Sequence, residues 1–72
     1  MAVKTSSYPV ARDYRVDCIT REDDFGNKSY EITVVFETLG LTVESFKDIK
    51  NPKDANVRFK ETMEKYKTIC FL

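Results

Sequence analysis

Histidine and tryptophan are absent from this 72-residue chain, and glycine, proline and cysteine each occur only twice. Without histidine, the chain lacks the commonest general base, the commonest metal ligand and every histidine-activated nucleophile. Gly26 and Gly40 lie too far apart for a glycine-rich phosphate-binding loop. We therefore expect no enzyme, no cofactor and no metal site. Carboxylates that hold a divalent cation are the one remaining route to catalysis.

Cysteine content and hydrophobic runs predict the compartment. Cys18 and Cys70 are too few for a disulfide framework and have neither metal-ligand nor redox-pair spacing. We expect both to be buried and reduced, with a disulfide between sheet and helix as the alternative. No segment approaches the roughly 18 apolar residues of a membrane span, and residues 1–7 lack the apolar centre of a signal peptide. The expectation is a soluble, cytoplasmic protein.

The composition is 42% hydrophobic and 33% charged, which predicts one small globular domain over residues 1–72. The formal net charge is zero, but the charges are segregated along the chain. Residues 22–48 carry seven acidic and two basic side chains, whereas residues 49–72 carry six basic and three acidic ones. A net charge near zero weakens self-repulsion, so we also expect a homodimer, formed through a sheet face or an edge strand.

A change of hydrophobic period near residue 50 predicts the fold. Before it, apolar residues alternate with polar ones, as in half-buried strands; after it, they recur at helical spacing. The expected fold class is α+β, with a three-stranded antiparallel β-meander and one C-terminal α-helix packed on one face. The two sets of inward-facing residues are Tyr14, Val16, Cys18, Tyr30, Ile32, Val34 and Phe36 in the strands, and Ala55, Phe59, Thr62, Met63, Tyr66, Ile69 and Cys70 in the helix.

The segments follow from the same pattern. Residues 1–12 are expected to form a loose N-terminal arm, residues 13–49 the sheet, and residues 50–72 the helix and a tail whose last five residues are left open between helix and strand. The strands are predicted at 14–21, 28–39 and 41–46, with Leu41 and Val43 inward and a bulge or strand end near Phe46. Asn51 is the expected N-cap and Pro52 the first helical residue.

One helix leaves one face of the sheet uncovered, and this face is the predicted interaction surface. It mixes carboxylates with apolar side chains, which is too apolar for water alone and too polar for a core. Phe25 lies at the tip of the predicted turn, where an aromatic side chain can enter a partner's pocket. The predicted protein-binding residues are Asp17, Glu22, Asp23, Asp24, Phe25, Glu31, Val35 and Glu37.

A second hypothesis rests on the outer face of the helix. Lys53, Lys60 and Lys67 recur every seven residues, and a basic stripe of this kind can follow a phosphate backbone. The alternative function is therefore a small nucleic-acid-binding domain.

The order strand–strand–strand–helix over residues 14–67 resembles the DNA-binding domains of phage integrases and plant ethylene-response factors. Those domains read the major groove with arginine and tryptophan on the exposed sheet face, where this chain has Asp17, Glu31 and Glu37. The size and charge separation are also similar in style to short phage-encoded inhibitors of host proteins, which would act in the host cytoplasm. We therefore expect a regulatory or inhibitory module whose partner is another protein, possibly one that binds nucleic acid.

Overall fold

In a computed structural model, residues 2–69 are described, apart from the side chains of Ala11 and Ile69. The elements are the strands β1 (Ala2–Ala11), β2 (Tyr14–Glu22), β3 (Lys28–Phe36) and β4 (Leu41–Ile49) and the helix α1 (Pro52–Ile69). All neighbouring strands are antiparallel and lie in the order β1-β2-β3-β4. The helix packs on one face of this meander, which confirms the α+β class with a C-terminal helix.

The predicted number of strands is wrong: the sheet has four strands, because the segment expected to be a loose arm is β1. β1 pairs with β2 from Ala2, opposite Glu22, to Pro9, opposite Arg15. Most of its side chains are exposed, so an edge strand of this kind tolerates serine, threonine and lysine and gives little hydrophobic signal. Tyr8 anchors it to the helix, with ring centroids 5.0 Å apart from Phe59.

The core lies between the central strands and the helix, as the alternation predicts. Val16 and Val34 are fully buried, Ile32 is 2% exposed and Tyr66 is 6% exposed. Each such burial contributes about 1.5–3 kcal/mol relative to an exposed side chain. The partly buried residues packed around this centre are Val10, Tyr14, Cys18, Phe46, Ile49, Phe59 and Met63.

The last strand corrects another prediction. Leu41 and Val43, expected to face inward, are 55% and 49% exposed. The register shifts here, since Val34 pairs with Glu44 while Val35 pairs with Thr42, and Val43 is the extra residue. The bulge resets the alternation, so that Glu44 and Phe46 lie on the helix side of the sheet. The predicted irregularity near Phe46 is confirmed: register shifts lie on both sides of this residue, one at Val43 and one between Phe46 and Ile49, and the strand continues to Ile49.

The helix begins at Pro52, as predicted, with Asn51 as its N-cap. The Asn51 Oδ1 accepts a hydrogen bond from the backbone N–H of Lys53 at 2.8 Å. Thr62, 3% exposed, donates its hydroxyl to the Arg58 carbonyl at 2.7 Å, so its buried polar group is satisfied. Among residues 2–69, no helix has the length and apolar character needed to cross a membrane. The predictions for Cys70 and the last two residues lie outside the described residues.

Candidate functional site

The sheet has an open face, opposite the helix, that carries most of the predicted binding residues. We define it as the side chains that alternate away from the core in the three strands β2, β3 and β4. Short side chains that end in a hydroxyl are frequent on this face, and they lie between longer charged side chains. Its members are Arg15, Asp17, Ile19, Arg21, Ser29, Glu31, Thr33, Val35, Thr42, Ser45 and Lys47.

The carboxylates of the open face are paired with arginines. The Arg15 Nε lies 3.0 Å from Asp17 Oδ1, and the Arg21 Nη1 lies 2.7 Å from Glu31 Oε1. Glu37, in the turn after β3, lies 3.9 Å from the Arg15 guanidinium. The structure therefore brings the three predicted acidic residues to one side of the sheet and sets each beside an arginine, with Arg15 shared by Asp17 and Glu37. Lys47 supplies a third positive charge on this face, near Glu31. The resulting surface is charge-balanced rather than acidic.

Glu31 is the most constrained of these carboxylates, because its side chain is only 13% exposed. The hydrogen bond from Arg21 lowers the pKa of Glu31, and a hydrogen bond from the Thr33 hydroxyl at 3.1 Å acts in the same direction. The nearby charge of Lys47 also lowers this pKa. Glu31 therefore stays ionised and oriented, as a fixed part of the face.

The apolar part of the open face is smaller than predicted. Val35 lies between Arg15 on β2 and Thr42 on β4 and is only 8% exposed. Ile19 is half-buried opposite Glu31. Val35 therefore packs within the sheet and offers little exposed area to a partner. Ile19 is the more exposed of these two apolar residues.

The turn between β2 and β3 is held by one aspartate. Asp23 Oδ1 accepts hydrogen bonds from the backbone N–H groups of Phe25 and Asn27, each at 2.9 Å, and its Oδ2 accepts from the Asn27 side chain at 3.2 Å. These bonds lower the pKa of Asp23, those with Asn27 and Phe25 outweighing the opposing effect of desolvation. Gly26 has φ +82°, a left-handed conformation that favours glycine. The predicted acidic turn is thus an ordered structure in which the Asp23 carboxylate accepts hydrogen bonds from residues of the turn itself.

Phe25 projects from this ordered turn and is 90% exposed. No other large apolar side chain among those that the structure describes reaches this exposure; Leu39, in the turn after β3, follows at 66%. Asp24 is exposed beside Phe25, whereas Glu22 is half-buried at the end of β2. An open cleft of about 900 Å³ runs between the turn and the start of the helix, with cations from Arg21, Lys28 and Lys50 along its wall.

The lysines of the second hypothesis all lie exposed on α1. Lys60 shares a shallow surface with Glu61, Glu64 and Lys65, so acidic side chains interrupt the basic stripe. Within the described residues, no acidic oxygen lies within ion-pair distance of Lys53, Lys60 or Lys67. The helix presents these cations to solvent in a surface of mixed charge.

The shifted pKa values all move away from neutrality. Burial raises the pKa of the Cys18 thiol, and burial together with the hydrogen bond to Glu44 raises the pKa of Tyr66 to about 12. The pKa values of Asp23, Glu31 and Glu44 are lowered, in each case by hydrogen bonds. Acid–base catalysis requires the opposite tuning, toward the working pH. Among residues 2–69, no three acidic or cysteine side chains form a group suited to a metal ion.

Sequence reasoning missed two kinds of residue. The first are Arg15 and Arg21, which hold the carboxylates of the open face but were not among the predicted binding residues. Glu31 lies on the neighbouring strand two residues along from Ser29, the residue opposite Arg21, and this diagonal is within reach of long side chains. The second omission is β1, whose outer edge is unpaired among the described residues.

Compared with known proteins, the chain matches no protein-family model, no curated protein and no solved structure.

Proposed function

We propose that this protein is a small non-catalytic protein-binding module, with a regulatory or inhibitory role, that docks through Phe25 and the adjoining open face. The observation that carries the proposal is the 90% exposure of Phe25 on a turn fixed by the hydrogen bonds of Asp23. Burying a phenylalanine side chain is worth about 1.5–3 kcal/mol, and this gain is forgone while Phe25 stays in water.

The geometry of the turn favours a macromolecular partner over a small ligand. Small molecules bind in concave, mostly apolar sites, whereas Phe25 protrudes and needs a pocket supplied by the other molecule. Because Asp23 already orders the backbone at Phe25 and Asn27, little conformational freedom is lost when the ring is buried. Aromatic anchors of this kind are frequent among residues that dominate interface energies.

The open face suits the outer part of such an interface. The pairs Arg15–Asp17 and Arg21–Glu31 present both signs of charge in fixed positions, and the Arg21–Glu31 pair lies on the side nearer the turn. Fixed, balanced charges select partners by complementarity and add little raw affinity. The acidic surface expected from the sequence is thereby replaced by paired opposite charges along the open face.

The test compares Phe25→Ala with the matched control Leu39→Ala, which removes an exposed apolar side chain from a different turn. Each variant and the unchanged chain are immobilised and exposed to nuclease-treated lysate of the source cell or its host, and the retained proteins are quantified by mass spectrometry. We expect one stoichiometric protein to be retained by the unchanged chain and by Leu39→Ala, and to bind Phe25→Ala about 30-fold more weakly, the effect of a hot-spot residue.

Three results would count against the proposal. Equal retention by Phe25→Ala would remove the anchor role of this residue. Retention that collapses after nuclease treatment would favour nucleic-acid binding through Lys53, Lys60 and Lys67, with a steep salt dependence. The double change Glu31→Lys with Glu37→Lys reverses two charges near the same face; unchanged affinity for the recovered partner would exclude the open face from the interface.

A further inference from the structure

The outer edge of β1 is a second candidate interaction surface, and it is formed by backbone groups rather than by an exposed side chain such as Phe25. β1 is ten residues long, pairs only with β2 in the described part of the chain, and leaves a row of backbone groups facing outward. Such an edge is a template for another strand. We propose that β1 pairs with β1 of a second copy of this chain, as an antiparallel two-fold pair centred on Thr5.

Pro9 shows which backbone groups point outward. A proline in a sheet has its N side facing away from the neighbouring strand, because it has no N–H to donate to the ladder. Pro9 pairs with Arg15, and hydrogen-bonded and non-hydrogen-bonded pairs alternate along an antiparallel ladder. The N–H and C=O groups of Val3, Thr5 and Ser7 therefore point outward, at positions whose side chains lie on the side of the sheet away from the helix.

Pairing centred on Thr5 uses all three of these residues. Val3 then lies opposite the partner's Ser7, and Thr5 lies opposite the partner's Thr5. Each hydrogen-bonded antiparallel pair exchanges two backbone bonds, so the three pairs supply about six. The side chains at the centre are small or β-branched, which suits cross-strand packing.

The charge and size of the side chains select this register. Lys4 lies opposite the partner's Ser6, and the large ring of Tyr8 lies opposite the partner's Ala2. A slip of two residues in one direction would place Lys4 opposite the partner's Lys4, and like charges directly opposite are destabilising. A slip in the other direction would place Val3 opposite the partner's Pro9, which has no N–H.

The other edge of the sheet is less suited to this pairing. β4 is interrupted by a bulge at Val43 and by a second irregularity opposite Glu31, where Asp48 has a left-handed φ of 59°. Bulges and charges on an edge strand discourage pairing with another chain. β1 has one register shift, confined to its end between Pro9 and Ala11. Because the formal net charge of the chain is zero, there is no net electrostatic repulsion between two approaching copies.

The first test measures mass against concentration by sedimentation velocity over the micromolar range. We expect the unchanged chain to reach twice the chain mass, and Thr5→Lys, which sets two lysines opposite each other at the two-fold axis, to raise the dimer dissociation constant about fivefold or more. Thr42→Lys is the matched control, because Thr42 is an exposed threonine on the open face of β4. It should leave the dimer intact. Circular dichroism verifies that each variant is folded.

The second test measures register by oxidative cross-linking on a non-reducing gel. Thr5→Cys places two thiols opposite each other, about 5.5 Å apart at Cα, within the range of a disulfide. Ser7→Cys is the control, since its thiol faces the partner's Val3, and the unchanged chain controls for Cys18 and Cys70. We expect a dimer band only with Thr5→Cys. A monomer at all concentrations, dissociation by Thr42→Lys but not Thr5→Lys, or stronger cross-linking by Ser7→Cys would overturn the proposal. None of these results depends on Phe25, so the dimer and the proposed function fail separately.

Discussion

The hydrogen bond between Tyr66 and Glu44 provides a quantitative prediction about the stability of the fold. The Tyr66 hydroxyl donates to Glu44 Oε2 at 2.7 Å, and the Lys65 ammonium lies 3.0 Å from the same oxygen. Tyr66 is 6% exposed in the core, and Glu44 reaches it from the helix side of β4 because of the bulge at Val43. The contact thus joins the last strand to the helix.

Tyr66→Phe deletes this hydroxyl while leaving the ring in place. A hydrogen bond to a charged group is worth about 1.5–3 kcal/mol net. Glu44 keeps Lys65 and some contact with water, since its side chain is 28% exposed, so we expect a loss of about 1–2 kcal/mol at pH 7. For a domain of this size the melting temperature should fall by about 4–8 °C for each kcal/mol lost.

The pH dependence has a defined sign at both ends. The pKa of Glu44 is lowered by the hydrogen bond from Tyr66 and then by Lys65, so the stability from this carboxylate is present above its ordinary pKa of 4.5 and lost as pH falls through the lower folded value. The pKa of Tyr66 is raised from 10.0 to about 12, so its contribution is present below pH 10 and lost between pH 10 and 12. Tyr66→Phe should remove the alkaline dependence and weaken the acid one, which Lys65 maintains in part.

The assay is urea and thermal unfolding of Tyr66→Phe, Glu44→Gln and the double variant, which together form a cycle that isolates the coupling. Tyr8→Phe is the matched control, because Tyr8 is 43% exposed and its hydroxyl has no hydrogen bond to the described residues. If Tyr66→Phe were no more destabilising than Tyr8→Phe, or if its effect were the same at pH 3 and pH 7, the assignment of this bond as a stabilising contact would be refuted.

Two further predictions concern the turn and the helix start. Asp23→Ala should lower the melting temperature and speed hydrogen exchange at the backbone amides of Phe25 and Asn27, because both amides lose their acceptor. Asp23→Asn keeps an acceptor oxygen and should have a smaller effect. Equal exchange rates in the two variants would contradict the role of Asp23. Asn51→Ala removes the N-cap and should lower the free energy of unfolding, measured by urea titration, by about 1 kcal/mol. Asn56→Ala, at an exposed position within the helix, should not lower it. Equal losses in the two variants would exclude the capping role of Asn51.

Much of the central fold was predictable because its signals are local and periodic. The alternation through Val16, Ile32 and Val34 identified the buried face of β2 and β3, and the cap at Asn51 identified the start of the helix. The turn residues around Gly26 likewise marked the connection between β2 and β3. In each case the physical cause, burial on one face or a special backbone conformation, leaves its trace in neighbouring residues.

The candidate site was predictable only as a set of positions. The alternation correctly placed Asp17 and Glu31 on the face away from the helix, but their pairing with Arg15 and Arg21 changed that face from acidic to balanced. Cross-strand partners depend on register, which a one-residue bulge alters.

The sequence by itself determined the α+β class, the central core and the helix, since amphipathic periods specify which faces must be buried. Only the tertiary structure decided the fate of β1 and the course of β4. The largely polar segment that contains Val3, Thr5 and Ser7 forms a strand because its backbone pairs with that of β2. The broken alternation near Phe46 indicated an irregularity in β4, but its position at Val43 is defined by the pairing of β4 with β3, a long-range contact that local sequence does not encode.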